Sequence, residues 1–378
     1  MRFLFLHALR IDFTALVAAL ALSLFGLVTM NSFSADNAFF ERQTIWICLG
    51  ITVFFLANLI DWRFLRRTSA VVSLYAVACS FLLLLLLIGE VTQGAQSWFY
   101  LGPLSFQPAD FAKIALIVLL AKYFSRRHIE IAHIRHILVS GFYALIPFIL
   151  ILLQPDFGSA VIVGLIWFGI VFVSGISRKH LVTVVLLALT AFSTLWLFGF
   201  EDYQKQRIVT FLHPLTDIHG AGYNAYQSTI TVGSGELFGK GIGYGTQSKL
   251  QFLPEYETDF IFAAFAEEWG FAGSILLFTM FTLLISRLFI SASRGATNFE
   301  TLFALGVAIY FMSHFALHVG INMGLLPVTG TTIPFMSYGG SHLLIEYLAL
   351  GMVSGMRRYA RAAHPEILEK EFHGGYDR

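Results

Sequence analysis

The sequence predicts an all-α, polytopic membrane protein with about ten transmembrane helices and one large loop. Hydrophobic residues fill 57% of the 378 positions and charged residues only 12%, about half the charged share of a soluble domain. Apolar runs long enough to cross a bilayer recur along the chain. Basic residues cluster in alternate connecting segments, as they do in the cytoplasmic loops of membrane proteins.

Short polar or basic turns separate the apolar runs, which occur at about 11–30, 44–60, 70–89, 137–153, 157–176, 180–200, 259–286, 300–321 and 340–356. A shorter run at about 108–124 carries Asp110 and Lys113. We count it as a span because the charges of the connecting loops then alternate correctly. The first run ends without a small-residue cleavage site, so we interpret it as a retained span rather than a signal peptide.

The charge distribution also predicts the orientation. Most of the 24 Lys and Arg residues fall in segments on the side of the N-terminus, which places both termini in the cytoplasm. The one long loop, residues 201–258 between predicted helices 7 and 8, then lies outside. We therefore expect a single integral membrane domain over residues 1–378, with a flexible cytoplasmic tail at 361–378.

The long loop is rich in glycine between Gly220 and Gly245. No strand precedes its Gly-x-Gly spacing, and the loop lies on the wrong side for cytosolic nucleotides, so a nucleotide-binding fold is not predicted. Tyr, Phe and Ile are interleaved with the glycines, which favours an ordered cover over the membrane. The sequence indicates no organic cofactor and no nucleic-acid partner.

Acidic residues are densest in the stretch Phe252–Gly273, which contains Glu255, Glu257, Asp259, Glu267 and Glu268. Uninterrupted apolar sequence begins only at Trp269. With the helix extended back to Thr258, Asp259 stands about 15 Å beyond Trp269, at the height of the lipid headgroups. A carboxylate there can meet the sugar end of a lipid-linked substrate. The alternative is that Thr258 and Asp259 only cap the helix. Glu267 and Glu268 lie so near the bilayer that we expect them to face a cavity or a partner.

Two further charges fall at the same predicted depth. Lys113 follows QPADFA, and Asp156 lies in QPDFGSA. A lone charge in a bilayer is costly, so we expect these two side chains to form an ion pair that braces a cavity or, alternatively, contacts substrate. His314 and His318 have a spacing that can hold a metal, but no third ligand is near in sequence, so packing and interhelical hydrogen bonds are favoured.

Several motifs together resemble the SEDS family (shape, elongation, division and sporulation) of polytopic peptidoglycan glycosyltransferases. They are FLPExxTDFIFAxxxEExGFxG at Phe252–Gly273, QPDxG at Gln154–Gly158, QPxxxxK at Gln107–Lys113 and NxGxxPVTGxxxPFxSYGGS at Asn322–Ser341. The resemblance covers a core at about 10–360. Within the family, FLHPxxDxxGxGYxxxQS and GSGxxxGKG resemble the elongation branch, RodA, more than the division branch, FtsW.

The resemblance implies polymerisation of lipid II, in which the 4-hydroxyl of one GlcNAc attacks the MurNAc anomeric carbon of another chain and expels undecaprenyl diphosphate. Asp259 matches the family's catalytic residue, and we expect it to act as the general base. Cations for the departing diphosphate are Arg207, Lys240, Lys249 and Lys113. The other residues expected to line the cavity are Asp156, Glu255, Glu267 and Ser337. The rival account has Asp259 bind a divalent cation, Mg²⁺ or Mn²⁺, with Glu255 or Glu257.

The chain departs from the family pattern at a few positions: Ser97 stands for a usual Arg, Asp110 for Glu, Glu257 for His and His342 for Ser. Family members act with a class B penicillin-binding protein, a single-span transpeptidase. We therefore expect that partner, and other elongation-complex membrane proteins, at the bacterial cytoplasmic membrane. A lipid II flippase and a non-catalytic scaffold are the alternatives. The enzyme is favoured because the acids concentrate at the outer face rather than at the midplane.

Overall fold

Helices form most of the described part of the chain in this computed structural model, which covers residues 11–33, 38–89, 96–101, 104–126, 134–199, 202–212, 222–250 and 252–359. The helices are α1 (Phe13–Phe33), α2 (Ala38–Leu59), α3 (Thr68–Ile88), α4 (Pro108–Ser125), α5 (Ile134–Leu152), α6 (Phe157–Val173), α7 (Arg178–Thr194), α8 (Asp202–Leu212), α9 (Tyr223–Ser234), α10 (Thr246–Lys249), α11 (Ile261–Ser293), α12 (Asn298–Asn322) and α13 (Gly340–Met356). Two short strands, β1 (Phe99–Leu101) and β2 (Leu104–Phe106), pair antiparallel with Phe99 opposite Phe106.

Every apolar run predicted to span the membrane coincides with one of these helices. Among the described residues, 6 helices (α1, α2, α3, α5, α11 and α12) have the length and mean hydropathy of a membrane crossing. α6 is equally apolar but has 17 residues. The chain is thus a multi-pass membrane protein, while the total of about ten crossings and their orientation stay predictions.

Helix α4 lies at the centre of the bundle, packed against α3, α6, α12 and α13. It begins at Pro108, which suits a first turn because proline lacks the N–H that would have no partner there. Nearly every residue of α4 is buried, which explains how a short segment with two charges is accommodated. Asp110 and Lys113 are each 1% exposed and contact each other rather than lipid.

Helix α11 is interrupted at Gly270, whose φ of 64° and ψ of −163° are open only to glycine. The long loop enters the break. The N–H groups of Lys240 and Gly241 donate to the carbonyl oxygens of Glu267 and Glu268 at 2.9 and 3.0 Å. The two amides that follow Gly270 donate in return to loop carbonyls, each at 3.0 Å. Loop and helix therefore satisfy each other's backbone groups where the helical pattern fails.

The described parts of residues 201–258 contain α8, α9 and α10, and α9 packs against α11 and α12. The hydroxyl of Ser228 in α9 donates to the backbone carbonyl of Asn322 at 2.9 Å. This part of the loop is a helical layer on the bundle. Residues 213–221 of the loop and the predicted flexible tail at 361–378 lie outside the described residues.

Candidate active site around Asp259

The acidic stretch before α11 is a turn. The N–H groups of Thr258 and Phe260 both donate to the carbonyl of Glu255, at 3.2 and 3.1 Å. Neither bond joins residues four apart, as the bonds of an α-helix do. Helix α11 begins only at Ile261, with Phe260 in the N-cap position. The prediction that the helix reaches back to Thr258 is therefore wrong, and the N-cap position is at Phe260 rather than at Thr258 or Asp259. Asp259 is half-buried in the turn.

The side chain of Asn322, the last residue of α12, binds backbone groups of the turn and of the first turn of α11. Its Nδ2 donates to the carbonyl of Asp259 at 2.9 Å, and its Oδ1 accepts the N–H of Ala263 at 3.0 Å. The same Nδ2 donates to the carbonyl of His318 at 2.8 Å. With 0% exposure, this amide fixes the end of α12 to the residue before α11 and to its first turn.

Residues 329–338, which we call the Gly330 loop, form the other support of the turn. The Ser337 hydroxyl donates to the carbonyl of Thr258 at 2.8 Å, and the N–H of Tyr338 donates to the carbonyl of Glu257 at 2.9 Å. Gly330 has φ of +67°, and a Cβ placed on it would lie 3.3 Å from Oδ2 of Asp259. Ser337, predicted to line a cavity, is buried and holds the turn.

The predicted ion pair between Lys113 and Asp156 is not formed. Asp156 is the N-cap of α6, where its Oδ1 accepts the N–H of Ser159 at 2.9 Å and its Oδ2 accepts Nε2 of Gln107 at 3.1 Å. Lys113 instead donates to Oδ1 of Asp110 at 2.9 Å. The nearer acid wins because residues three apart on a helix share a face, so the pair forms without help from a second helix.

A buried network joins Asp110 to two more helices. Its Oδ2 lies 3.1 Å from Nδ1 of His342 in α13, whose Nε2 is 2.9 Å from Oε1 of Glu346. Lys113 Nζ is also 3.4 Å from Nε2 of His314 in α12. Two of the positions at which the sequence departs from the family pattern, 110 and 342, are thus in direct contact.

One group of three residues in the described part of the chain, Asp110, His314 and His342, has ligand atoms all within 4.8 Å of one another. The ammonium of Lys113 already supplies a positive charge 2.9 Å from Asp110, so the group fits an ion-pair network better than a divalent cation. The acids predicted as alternative metal ligands, Asp259, Glu255 and Glu257, form no such group among the described residues.

The histidines at 314 and 318 bind the Gly330 loop. Nδ1 of His314 lies 3.1 Å from the carbonyl of Thr332, and Nδ1 of His318 lies 2.7 Å from that of Thr331. A carbonyl only accepts, so both Nδ1 atoms carry the proton. Both residues are hydrogen-bonded, but to a loop rather than between helices as predicted; among the described residues, only His314 of the two also lies within hydrogen-bonding distance of a side chain on another helix, that of Lys113.

Glu267 anchors the long loop. Its carboxylate is 0% exposed and accepts Nζ of Lys240 at 2.7 Å, together with the N–H groups of Thr246 at 2.9 Å and Gln247 at 3.1 Å. The expectation that acids at this depth face a partner therefore holds for Glu267, and the partner is a segment of the same chain. Lys240 is occupied by this contact.

Of the other predicted cations, Lys249 makes its contact within the long loop, where it donates to the carbonyl of Gly243 at 3.4 Å. Arg207 belongs to α8, and its side chain lies outside the described residues. The acids Glu255 and Glu257 do accompany Asp259 in the turn. Burial, with a smaller contribution from the charge of Glu255, raises the pKa of Glu257 above its ordinary value of 4.5.

An open cavity of about 420 Å³ lies beside the turn. Its lining comes from α2, from the segment around the two strands, from the Asp259 turn, and from the end of the Gly330 loop and the residues after it. These residues are Arg42, Ile45, Trp46, Leu49, Trp98, Ser105, Thr258, Tyr338, Gly339 and Gly340. The lining is largely apolar with a single guanidinium, which suits a ligand that has both a hydrocarbon chain and an anionic group. Thr258, the residue before Asp259, belongs to the lining, so the turn borders the cavity, although Asp259 is not itself a lining residue.

Comparison with known proteins identifies the family. The family model described as "Cell cycle protein", which covers FtsW, RodA and SpoVE, matches residues 1–362. The chain belongs to this family, the SEDS family. Over 358 residues, this SEDS chain is 34% identical to peptidoglycan glycosyltransferase MrdB of Escherichia coli K12, covering 94% of this chain and 96% of the relative. It is 35% identical to stage V sporulation protein E of Bacillus subtilis over 364 residues, covering 93% and 98%.

Solved structures agree with the SEDS assignment. A structure described as coordinating polymerization and crosslinking in a peptidoglycan synthase complex aligns with a TM-score of 0.80 at 32% identity, covering 93% of this chain and 98% of that one. The crystal structure of Thermus thermophilus RodA aligns with a TM-score of 0.70 at 30% identity, covering 92% and 97%. A relative named FtsW, from Coxiella burnetii, is 34% identical over 351 residues, so identity does not separate the two branches.

Several residues that build this SEDS site were missed from the sequence. Asn322 is the first residue of the NxGxxPVTGxxxPFxSYGGS motif, but nothing in the sequence indicated that its side chain binds the backbone of Asp259. Arg42 was counted only as a basic residue between predicted spans. Glu346 and His342 lie in an apolar run, where a polar residue four positions after another on one helix face was the available signal.

Proposed function

We propose that this SEDS chain is a glycosyltransferase that polymerises lipid II into glycan strands during cell elongation. It would act at the outer face of the bacterial cytoplasmic membrane, with about ten crossings and both termini inside. The observation that carries the proposal is the Asp259 turn, tethered by its backbone beside a cavity with apolar walls and one guanidinium. Relatives named as peptidoglycan glycosyltransferases, matched over 94% of the chain, support the enzyme class.

In the proposed reaction, Asp259 accepts the proton of the acceptor 4-hydroxyl as that oxygen attacks the anomeric carbon of the donor. The bond between this carbon and the diphosphate oxygen breaks, and undecaprenyl diphosphate leaves with the electron pair. The Asn322 side chain holds the backbone of Asp259 next to the cavity residue Thr258, which would orient the carboxylate for the reaction. The turn lies outside α11, so the base and its sugar substrate would meet beyond the apolar core.

Arg42 takes the role expected of Lys113, Lys240 and Lys249. Those three ammonium groups are engaged with other parts of the protein, whereas Arg42 lines the cavity next to the turn. A guanidinium binds a diphosphate through paired hydrogen bonds and stabilises the charge that develops on it. The apolar side chains of the cavity, which include Ile45 and Leu49, would hold the first prenyl units.

The divalent cation stays a separate prediction. The acids of the turn form no converging group of three, so no step above depends on a metal. Loss of polymer in EDTA and its return with Mg²⁺ or Mn²⁺ would support the ligand role of the acids. Polymer formation unaffected by EDTA would support the base role alone.

The test uses the purified protein with its class B penicillin-binding partner and labelled lipid II. We expect Asp259→Asn to lower the rate of glycan polymer formation by more than about 100-fold while the complex still assembles. Arg42→Gln should lower it by about 10- to 100-fold, and Arg42→Lys by less. Asp61→Asn removes an exposed acid at the opposite end of the bundle and is the matched control.

Unchanged polymer with Asp259→Asn would overturn the assignment of the base. Wild-type protein that moves labelled lipid II between leaflets without forming polymer would favour the flippase. Wild-type protein that does neither, yet still assembles the complex, would favour the scaffold.

A further inference from the structure

The buried network between α4 and α13 contains two carboxylates and two basic side chains. Asp110 and Lys113 come from α4, and His342 and Glu346 from α13, and none of the four is more than 3% exposed. Burying an uncompensated charge is costly, so such a group is stable only when its charges balance. Two positive and two negative groups would balance.

His342 lies between the two carboxylates. Its Nδ1 is 3.1 Å from Oδ2 of Asp110, and its Nε2 is 2.9 Å from Oε1 of Glu346. A carboxylate oxygen only accepts, so Nδ1 carries a proton. A second proton on Nε2, donated to Oγ1 of Thr332 at 2.8 Å beside Oε1 of Glu346, gives the imidazole the positive charge that, together with Lys113, balances the two carboxylates. Lys113 satisfies the other oxygen of Asp110 at 2.9 Å. His342 is therefore the cation that compensates Glu346.

Glu346 in turn holds the Gly330 loop. Its Oε2 accepts the N–H of Phe335 at 2.7 Å. Phe335 is buried with φ of +63°, a left-handed conformation that a bulky residue keeps only when its surroundings enforce it. The Nε2 of His342 also lies 2.8 Å from Oγ1 of Thr332 in the same loop. The charged pair thus fixes the loop at two points.

The opposite side of the Gly330 loop supports the Asp259 turn. Ser337, two residues after Phe335, accepts the N–H of Ile333 at 3.0 Å and donates to the carbonyl of Thr258 at 2.8 Å. A displaced loop would therefore move the residue next to Asp259. No atom of His342 needs to touch the substrate for this effect.

We propose that His342 is a positioning residue for Asp259: its positive charge holds Glu346 against the Phe335 amide and so fixes the loop on which the catalytic turn rests. This proposal depends on the proposed function, in which Asp259 is the base. His342 and Glu346 then act as one unit, because the effect depends on the attraction between their opposite charges and not on either side chain alone.

The experiment compares His342→Gln, Glu346→Gln and the double variant in the complex with the penicillin-binding partner, by kcat and KM for labelled lipid II. We expect His342→Gln to lower kcat by about 10- to 100-fold with KM changed less than about threefold, since the base is displaced while the binding cavity remains. The double variant should recover kcat to within about fivefold of wild type. It removes both charges, and the new amide oxygen at position 346 can still accept the Phe335 N–H.

Ser354→Ala is the matched control for a purely structural effect. Ser354 is buried on the same helix and accepts hydrogen bonds from Asn58 and from the N–H of Asp12, at the end of α13 far from the turn. We expect this variant to lower the melting temperature without changing kcat. Melting temperatures of the four His342 and Glu346 species should be non-additive, whatever the activity.

The proposal is overturned if His342→Gln keeps the wild-type kcat, or if the double variant is no better than His342→Gln. It is also overturned if Ser354→Ala loses kcat to the same extent for the same loss of melting temperature. Asp259→Asn in the same assay separates the two levels. Equal activity of wild type and Asp259→Asn would contradict the proposed function. If Asp259→Asn is inactive while His342→Gln keeps the wild-type kcat, only the positioning role of His342 is contradicted.

Discussion

Among substitutions near the turn that leave the net charge unchanged, replacement of Asn322 by Leu, a side chain of similar size, should be the most damaging. The amide makes three hydrogen bonds at 0% exposure, to the carbonyls of Asp259 and His318 and from the N–H of Ala263. Asn322→Leu leaves these three backbone groups buried without that partner. At about 1 kcal/mol for each bond, the free energy of unfolding falls by about 3 kcal/mol. A displacement of the base by about 1 Å adds a loss of about 100-fold in rate.

The assay is polymer formation from labelled lipid II, with thermal unfolding of the same samples in detergent. Ser228→Ala is the control, because it deletes one buried hydrogen bond to the carbonyl of Asn322 and leaves the amide side chain in place. We expect this control to stay within about threefold of the wild-type rate and to lose about 1 kcal/mol. A wild-type rate for Asn322→Leu would refute the reasoning that the backbone tether positions the acid.

Three further changes test the surroundings of the turn. Glu267→Ala removes the acceptor of three loop amides and should accelerate hydrogen exchange of residues 246–248 by about 100-fold, with a smaller effect for Glu267→Gln, which keeps an acceptor. Burial raises the pKa of Glu257, so the folded protein binds this proton more tightly than the unfolded chain does. The resulting loss of stability is absent below 4.5 and grows as pH rises through the raised value, so Glu257→Gln should raise the melting temperature at about pH 7 but not at about pH 4. Gly270→Ala would place a Cβ 2.2 Å from a backbone nitrogen of the long loop and should cost more than about 3 kcal/mol. Gly233→Ala, where a Cβ meets nothing within 4 Å, should be close to neutral in the same unfolding measurement.

The positions of the helices were predictable because a bilayer demands long apolar runs, and each predicted run is a helix. The site was predictable only in part. Asp259, Glu255 and Glu257 are adjacent in sequence and share one turn. The first residue of α11 could not be predicted, because the hydrogen bonds from two turn amides to the carbonyl of Glu255 are made by backbone atoms and do not depend on residue type.

Ion-pair partners were harder to predict than helices. Matching Lys113 with Asp156 used depth in the membrane, which says nothing about the direction in which a side chain points around its helix. The true partner, Asp110, lay three residues away. Its second contact, His342, is 232 residues distant in the chain, and only the packing of α4 against α13 brings the two together.

The break at Gly270 has a mechanical consequence. The long loop makes backbone hydrogen bonds to both segments of α11, to Glu267 and Glu268 before the break and to Phe271 and Ala272 after it, so it clamps the two segments together at the glycine. A protein that binds the loop would therefore act on both segments of α11 together, including the segment that begins beside Asp259.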